Sequence, residues 1–167
     1  MIIGIDPGNN GAIALLDNNG IFVDVVDIPT CERIVGGKIK TFIDDAELFK
    51  LLHTFRKPNE KNVVALENVN AMAKGGTKQG AVSMFNFGMG FGMIKMALTV
   101  LEFEVSLIAP ISWKRQYGLV GSDKSASIPL ARAFITHCGM NADSYIKLKK
   151  HDGRADAVLI ATMADWN

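Results

Sequence analysis

The first 28 residues, MIIGIDPGNNGAIALLDNNGIFVDVVDI, carry the pattern that decides the fold. Two apolar runs, Ile2 to Asp6 and Ala12 to Leu16, flank a turn rich in Gly and Asn, and such runs predict buried strands. Asn18-Asn19-Gly20 is typical of a hairpin turn and leads into a third apolar segment, Ile21 to Ile28. We therefore predict that the chain opens with a three-stranded antiparallel meander.

Helices and strands alternate after this meander. Pro29 to Lys40 shows no clear hydrophobic period and contains Gly36-Gly37, so we expect a loop there. The order of elements predicts an α/β fold with helices on both faces of a mixed central sheet, in one domain over residues 1–167. The expected later elements are a helix capped at Asp44 and running to about Arg56, a strand at Val63 to Glu67, a helix from Ala81 to Leu101, a strand at Val105 to Ile108, a helical segment from Ser112, a helix from Ser125 to Cys138, and a last helix that begins at Asp152.

Composition narrows the class of protein. With 49% hydrophobic and 21% charged residues, the 167-residue chain has the make-up of an ordinary globular domain. Its two cysteines, Cys31 and Cys138, lie far apart and predict neither a disulfide framework nor a zinc site. Because the N-terminus lacks the basic segment of a signal peptide, we expect a cytoplasmic protein. Asn86 and Lys95 interrupt the long apolar segment from Ala81, so we expect no membrane insertion.

Charge is unevenly distributed along the chain. Residues 1 to 30 carry four acidic residues and no basic one, whereas residues 74 to 154 carry eleven basic and five acidic residues. A basic excess of this kind fits either a polyanionic partner or a solvated surface, and charge alone leaves both interpretations open.

Four acidic residues fall at matched structural places. Asp6 ends the first predicted strand, Glu67 ends the fourth, and Asp152 and Asp156 begin the last helix, where their spacing puts both on one face. Carboxylates beside a buried strand are costly unless they are protonated, paired or bound to a metal. Hard oxygen ligands from three elements are what Mg²⁺ prefers when it acts on a phosphodiester.

Each acid taken alone also has a structural interpretation. Asp6 could bond the amides of the following turn, and Asp152 could be the N-cap of the last helix. Glu67 could pair with Lys74, and Asp156 could pair with Arg154 or Lys150. Four unrelated structural acids would seldom occupy these particular places together.

The sequence resembles the RuvC-type Holliday junction resolvases, in particular their phage and organelle branch, which have a ribonuclease H-like fold. Four motifs in the same order carry the resemblance: Gly4-Ile5-Asp6-Pro7-Gly8, Leu66-Glu67-Asn68-Val69, the block from Trp113-Lys114 to Asp123-Lys124, and His151-Asp152-Gly153-Arg154-Ala155-Asp156-Ala157. The resemblance implies a homodimeric endonuclease that nicks branched, four-way DNA. It also implies that Asp6, Glu67, Asp152 and Asp156 hold Mg²⁺, with two ions per site expected and Mn²⁺ able to substitute.

The resemblance extends to the basic residues. It makes Lys114 and Lys124 the two motif lysines, and we expect Lys124 to stabilise the charge of the transition state. His151, beside the last acidic pair, is a possible metal ligand or phosphate contact. Met72 stands near the place where the bacterial enzymes carry a junction-opening aromatic, so it is a candidate wedge, with Phe85 and Phe87 as alternatives. Further predicted contacts to the DNA backbone are Lys74, Lys78, Arg115, Lys147, Lys149 and Lys150.

Three glycines, Gly88, Gly90 and Gly92, lie inside the long apolar helix. Each costs a helix about 1 kcal/mol relative to alanine, so close approach of another backbone is the natural compensation. We favour a twofold dimer seam over a contact within the domain.

The predicted function is a structure-selective DNA endonuclease. The alternatives are another ribonuclease H-like nuclease, acting on RNA–DNA hybrids or precursor rRNA, and a non-catalytic DNA-binding protein. No nucleotide cofactor is expected, because an actin-like ATP-binding module, whose first motif is similar, needs a second lobe that this length does not provide.

Overall fold

The computed structural model describes residues 1–68 and 80–164. The strands are β1 (Ile2–Ile5), β2 (Ala12–Leu16), β3 (Phe22–Asp27), β4 (Thr30–Val35), β5 (Lys38–Ile43), β6 (Val63–Glu67) and β7 (Glu104–Ile108). The helices are α1 (Asp45–Phe55), α2 (Ala81–Val100), α3 (Pro110–Gln116), α4 (Ser127–His137) and α5 (Asp152–Ala161), with short 3₁₀ turns at Lys124–Ala126, Ala142–Ser144 and Lys149–His151.

A mixed five-stranded sheet in the order β3-β2-β1-β6-β7 forms the centre of the fold. The antiparallel pairs β1–β2 and β2–β3 are the predicted opening meander, whereas β6 and β7 run parallel to β1. The α/β fold expected from the sequence, with a mixed central sheet that opens in an antiparallel meander, is confirmed.

Helices cover both faces of this sheet, and each face has its own apolar core. On one face, Ile3 and Ile5 of β1 pack with Leu48 of α1 and Leu98 of α2. On the other face lie side chains from α3, α4 and α5, including Trp113, Ile135 and Val158. The period-two alternation of β1 therefore separates the two cores.

One prediction was wrong: the segment expected to be a loop after Pro29 is the β4–β5 hairpin, which forms a sheet of its own. Its turn is Gly36-Gly37, with φ of 61° and 74°, the positive values that a tight two-residue hairpin turn requires. Most of its side chains are exposed, including Ile34 at 78%. With both faces largely exposed, no apolar–polar alternation marks the strands in the sequence.

Helix α2 is long and apolar enough to cross a membrane, judged by length and composition alone. Ile94, Ala97 and Leu98, in its C-terminal half, are buried in the core shared with α1. Its N-terminal half is more exposed, with Val82 at 61% and Phe85 at 70%.

Candidate active site

Two parallel strands deliver the first two carboxylates. Because Ile5 of β1 is paired with Leu66 of β6, the next residues, Asp6 and Glu67, follow at the same edge of the sheet. The Asp6 amide donates to the Ala12 carbonyl (3.1 Å), and the Gly8 amide donates to the Asp6 carboxylate (3.4 Å). Asp6 therefore accepts a hydrogen bond from the turn that follows it, as its purely structural interpretation predicted. Its carboxylate is also close enough to Glu67 for the charge of Glu67 to raise its pKa.

Helix α5 brings the other two carboxylates by packing directly on β1. A Cβ added to Gly4 would lie 2.3 Å from the Ala157 carbonyl oxygen, and one added to Gly153 would lie 2.1 Å from the Asn10 carbonyl oxygen. Only glycine permits these two approaches: the first brings α5 onto β1, and the second holds the start of α5 against the β1–β2 turn.

An ion pair fixes the same end of α5. The Arg154 guanidinium donates from Nε and Nη2 to the two Asp27 carboxylate oxygens, both at 2.6 Å, and from Nη1 to the Tyr145 carbonyl at 2.8 Å. The Arg154 side chain thus binds β3 and the turn before α5. The predicted alternative in which it pairs with Asp156 is not observed.

The four predicted acids line one pocket of about 360 Å³ at this edge of the sheet. The two motif lysines line the same pocket; Lys114 is half-buried and Lys124 is exposed. The structure therefore brings together Asp6, Glu67, Asp152, Asp156, Lys114 and Lys124.

The electrostatics of the pocket reflect crowded negative charge. Burial, and then the charges of Glu67, Asp156 and Asp152, raise the pKa of Asp6 to about 7. Burial also raises the pKa of Asp156 to about 6, and it raises the pKa of Glu67. Lys114 opposes the last two shifts, since its positive charge lowers the pKa of both Glu67 and Asp156.

Two neutral side chains hold these carboxylates, and neither was assigned a role from the sequence. The Trp113 indole donates from Nε1 to Glu67 Oε1 at 2.8 Å, and both side chains are buried. Ser127, only 3% exposed, lowers the pKa of Asp156 by side-chain hydrogen bonding, and its Oγ also lies 3.4 Å from the Lys124 carbonyl oxygen. Trp113 stands next to a motif lysine in the sequence, which could have pointed to it. No sequence pattern pointed to Ser127, because a serine at the start of a helix usually caps that helix.

The donor set fits a hard divalent cation in chemistry and in charge. Four carboxylates and two lysines line the pocket, the neighbouring carboxylates raise the pKa of Asp6 and of Asp156, and a bound cation would relieve that repulsion. Within residues 1–68 and 80–164, no three side chains of His, Cys, Asp or Glu stand close enough together to hold one ion as they are placed. The pocket therefore fits a divalent cation by the type of its donor atoms and by its negative charge, and its described side chains do not form a complete coordination shell.

The remaining predicted residues are absent from the lining of this pocket or lie outside the described ranges. His151, not Asp152, is the N-cap residue of α5, and its Nδ1 accepts from the Lys147 amide (3.2 Å). Burial and the charge of Arg154 lower the pKa of His151. Four further predicted DNA contacts are exposed: Arg115, Lys147, Lys149 and Lys150. Met72, Lys74 and Lys78, with the proposed Glu67–Lys74 pair, lie outside the described residues.

Comparison with known proteins supports the fold and gives no match in sequence. No protein-family model matches the chain, and no curated protein matches it. The Thermus thermophilus RuvC structure is similar, with a TM-score of 0.56 and 19% sequence identity over 96% of this chain and 91% of that chain. The structure of T. thermophilus RuvC in complex with Holliday junction substrate is similar with a TM-score of 0.53 and 16% identity over 96% and 90%.

Proposed function

We propose that this protein is a divalent-metal-dependent endonuclease that nicks branched DNA, with the four-way junction as its substrate. The observation that carries the proposal is the convergence of Asp6, Glu67, Asp152 and Asp156 in one pocket beside two lysines. The fold shared with RuvC supports a junction substrate, because one of the similar structures is a complex with Holliday junction DNA.

The four carboxylates would hold the metal, Mg²⁺ or Mn²⁺, with two ions the expected complement. When bound, such ions supply a nucleophilic water and neutralise charge on the leaving 3′-oxygen. The chain's own residues prepare the site. Trp113 donates a hydrogen bond to Glu67, and Ser127 lowers the pKa of Asp156, so both favour the ionised, metal-binding carboxylates.

The two lysines divide the positive charge of the pocket. Lys114 is half-buried and acts electrostatically on Glu67 and Asp156, so it keeps these carboxylates ionised. Lys124 lines the pocket from its exposed rim and is free to approach a phosphate, where it would stabilise the negative charge that develops on the non-bridging oxygens. Arg115, Lys147, Lys149 and Lys150 would position the DNA backbone around the pocket.

A twofold homodimer would give a junction two cuts in one encounter, and α2 offers the surface for it. Residues 85, 88, 92 and 96 follow helical spacing along one exposed stripe of α2: Phe85, Gly88, Gly92 and Met96. A Cβ at Gly88 or Gly92 would meet nothing within 4 Å, so a second backbone could approach closely there. Gly90 instead serves the fold, since its added Cβ would lie 2.9 Å from Ile43 Cδ1.

The decisive test is cleavage of matched four-way, flap, linear duplex and RNA–DNA hybrid substrates with Mg²⁺, repeated with EDTA and with Asp6→Asn. We expect paired nicks in the four-way junction, dependent on metal and lost in the variant. Preferential cleavage of the hybrid would instead support the broader ribonuclease H-like activity. Metal-independent binding of the junction without any cleavage would support a non-catalytic DNA-binding protein and reject the proposal.

A further inference from the structure

The β4–β5 hairpin collects its basic residues on one face. Its register pairs Arg33 with Lys40 and Val35 with Lys38, and side chains of such antiparallel pairs share a face. All three basic residues between Thr30 and Ile43 therefore stand on the same face, whereas the single acid of the segment, Glu32, is on the other.

Arg33 and Lys40 face each other as like charges, which destabilises a cross-strand pair. Among the described residues, neither of them forms a salt bridge with a carboxylate; Arg33 instead lies over the Phe42 ring, 5.6 Å from its centroid. An anionic ligand between the two side chains would remove this repulsion.

The basic face forms one wall of a groove that leads away from the acidic pocket. Arg33, Lys40 and Phe42 line a space of about 840 Å³ whose other wall is the N-terminal half of α2. Asn9 and Asn10 line both this groove and the acidic pocket, so the two spaces meet at the β1–β2 turn.

The hairpin is also tied to that turn. The Asn9 side chain donates from Nδ2 to the Thr41 carbonyl at 2.9 Å. The adjacent residue, Asn10, packs against Gly153 at the start of α5, so the hairpin, the turn and the acid-bearing helix are in continuous contact.

We propose that the basic face of this hairpin binds the phosphate backbone of a DNA duplex arm that extends from the acidic pocket along the groove. The ligand is chosen by charge: cations that form no salt bridge with any described residue, on a largely exposed two-stranded arm, suit a continuous row of phosphates. This inference rests on the proposed function for the identity of the nucleic acid. It adds a binding surface in the N-terminal part of the chain, outside the segment from residue 74 to 154 that carries the basic excess.

The test is a double variant, Arg33→Gln with Lys40→Gln, against a control, Lys50→Gln with Lys57→Gln. The control also removes two positive charges, one from Lys50 in α1 and one from Lys57 just after this helix. Binding of a synthetic four-way junction and of a linear duplex is measured across a salt series without divalent metal. We expect about five- to tenfold weaker binding of both DNAs by the hairpin variant and a salt slope smaller by about 2, because each lost phosphate contact removes about one unit.

The conservative variant Arg33→Lys with Lys40→Arg should restore both the affinity and the slope, since phosphate contact needs charge rather than a particular cation. Thermal unfolding should show the hairpin variant at least as stable as the wild type, because a like-charge pair has been neutralised. Equal affinity and salt slope in the hairpin variant and the control would overturn the inference while leaving the nuclease proposal intact.

The nuclease proposal can also fail while the hairpin proposal holds. A wild type that binds both DNAs but cuts neither would reject the nuclease function, and the same hairpin comparison would still support the binding surface. A change in mass in solution in the hairpin variant, with unchanged DNA binding, would reject the DNA contact and assign the groove to a second copy of the chain.

Discussion

The indole nitrogen of Trp113 donates a 2.8 Å hydrogen bond to Oε1 of Glu67, and both side chains are buried. An indole can only donate, so this bond favours the ionised carboxylate and opposes the effect of burial, which raises the pKa of Glu67. In the proposed nuclease Trp113 would be a positioning residue: it holds one oxygen of Glu67 and favours the ionised form that a cation would need.

Trp113→Phe keeps the buried ring but removes the donor. We expect the pKa of Glu67 to rise further, so that cleavage falls about tenfold near neutral pH. A tenfold loss corresponds to a hydrogen bond to a charged group that contributes about 1.5 kcal/mol. The deficit should shrink as pH rises, because the carboxylate then ionises without help. Single-turnover rates across pH measure this. A deficit that is constant with pH would assign Trp113 to packing alone.

Neutral replacements of the acids should separate binding from cleavage. Asp6→Asn, Glu67→Gln and Asp156→Asn remove metal-holding charge with little change of shape, so we expect cleavage to be abolished and junction binding to stay within a few-fold. Gel-shift and cleavage assays on the same preparations measure both quantities. Mg²⁺-dependent nicking by folded Asp6→Asn, free of wild-type enzyme, would contradict the assignment of the site.

The sequence predicted those elements of the fold whose apolar residues are bounded by polar or turn-forming residues. The buried strands of the meander and Val63–Glu67 were found because their apolar runs end at clear turns, and the acids stood out because they end those runs. The hairpin at 30–43 was missed because both of its faces are largely exposed. Ser127 was missed because its role depends on the distance of α4 from α5, a tertiary relationship that no local pattern encodes.

Metal-free protein should lose stability as pH rises. Asp6 has a pKa of about 7 in the folded state against an ordinary value of 3.8, so between these values the folded state binds more protons than the unfolded chain. Stability therefore falls as pH rises through this window and stays lower above it. Asp6→Asn removes this loss, so we expect its Tm to lie several degrees above that of the wild type at alkaline pH.

Thermal unfolding in EDTA at acidic and alkaline pH measures this difference. Near pH 4 the variant and the wild type should have similar Tm, because Asp6 is then protonated in the folded state. Added Mg²⁺ should raise the Tm of the wild type more at alkaline than at acidic pH, since protons and metal compete for the same carboxylates. The same pH dependence in both proteins would show that Asp6 does not titrate in this range.

The two lysines should give different kinetic signatures. Lys124→Ala should lower the single-turnover rate by about 10² at every pH, because it removes a cation from the transition state. Lys114→Ala should act mainly below neutral pH, because Glu67 and Asp156 lose the charge that lowers their pKa. Lys50→Ala, on the exposed surface of α1, is the matched control. Salt-dependent binding loss with an unchanged rate at saturating enzyme would make Lys124 an ordinary backbone contact.

The stripe on α2 can be tested without disturbing the core. A Cβ added at Gly88 or Gly92 meets nothing within 4 Å in the single chain, so we expect Gly88→Leu and Gly92→Leu to fold. In a twofold dimer the same change separates the helices by a layer of side chains. We expect monomers that can still nick one strand but no longer cut both strands of a junction in one encounter. Thr54→Leu, on the exposed surface of α1, is the control for added apolar surface.

Two measurements decide the dimer prediction: mass in solution and, on a cruciform plasmid, the ratio of linear to nicked product. A dimeric wild type should give mainly linear product, because two sites related by a twofold axis cut opposite strands before the complex dissociates. The leucine variants should shift the product to nicked circles in proportion to their loss of dimer, whereas Thr54→Leu should match the wild type. A wild-type monomer that still linearises the plasmid would show that paired cutting does not depend on α2.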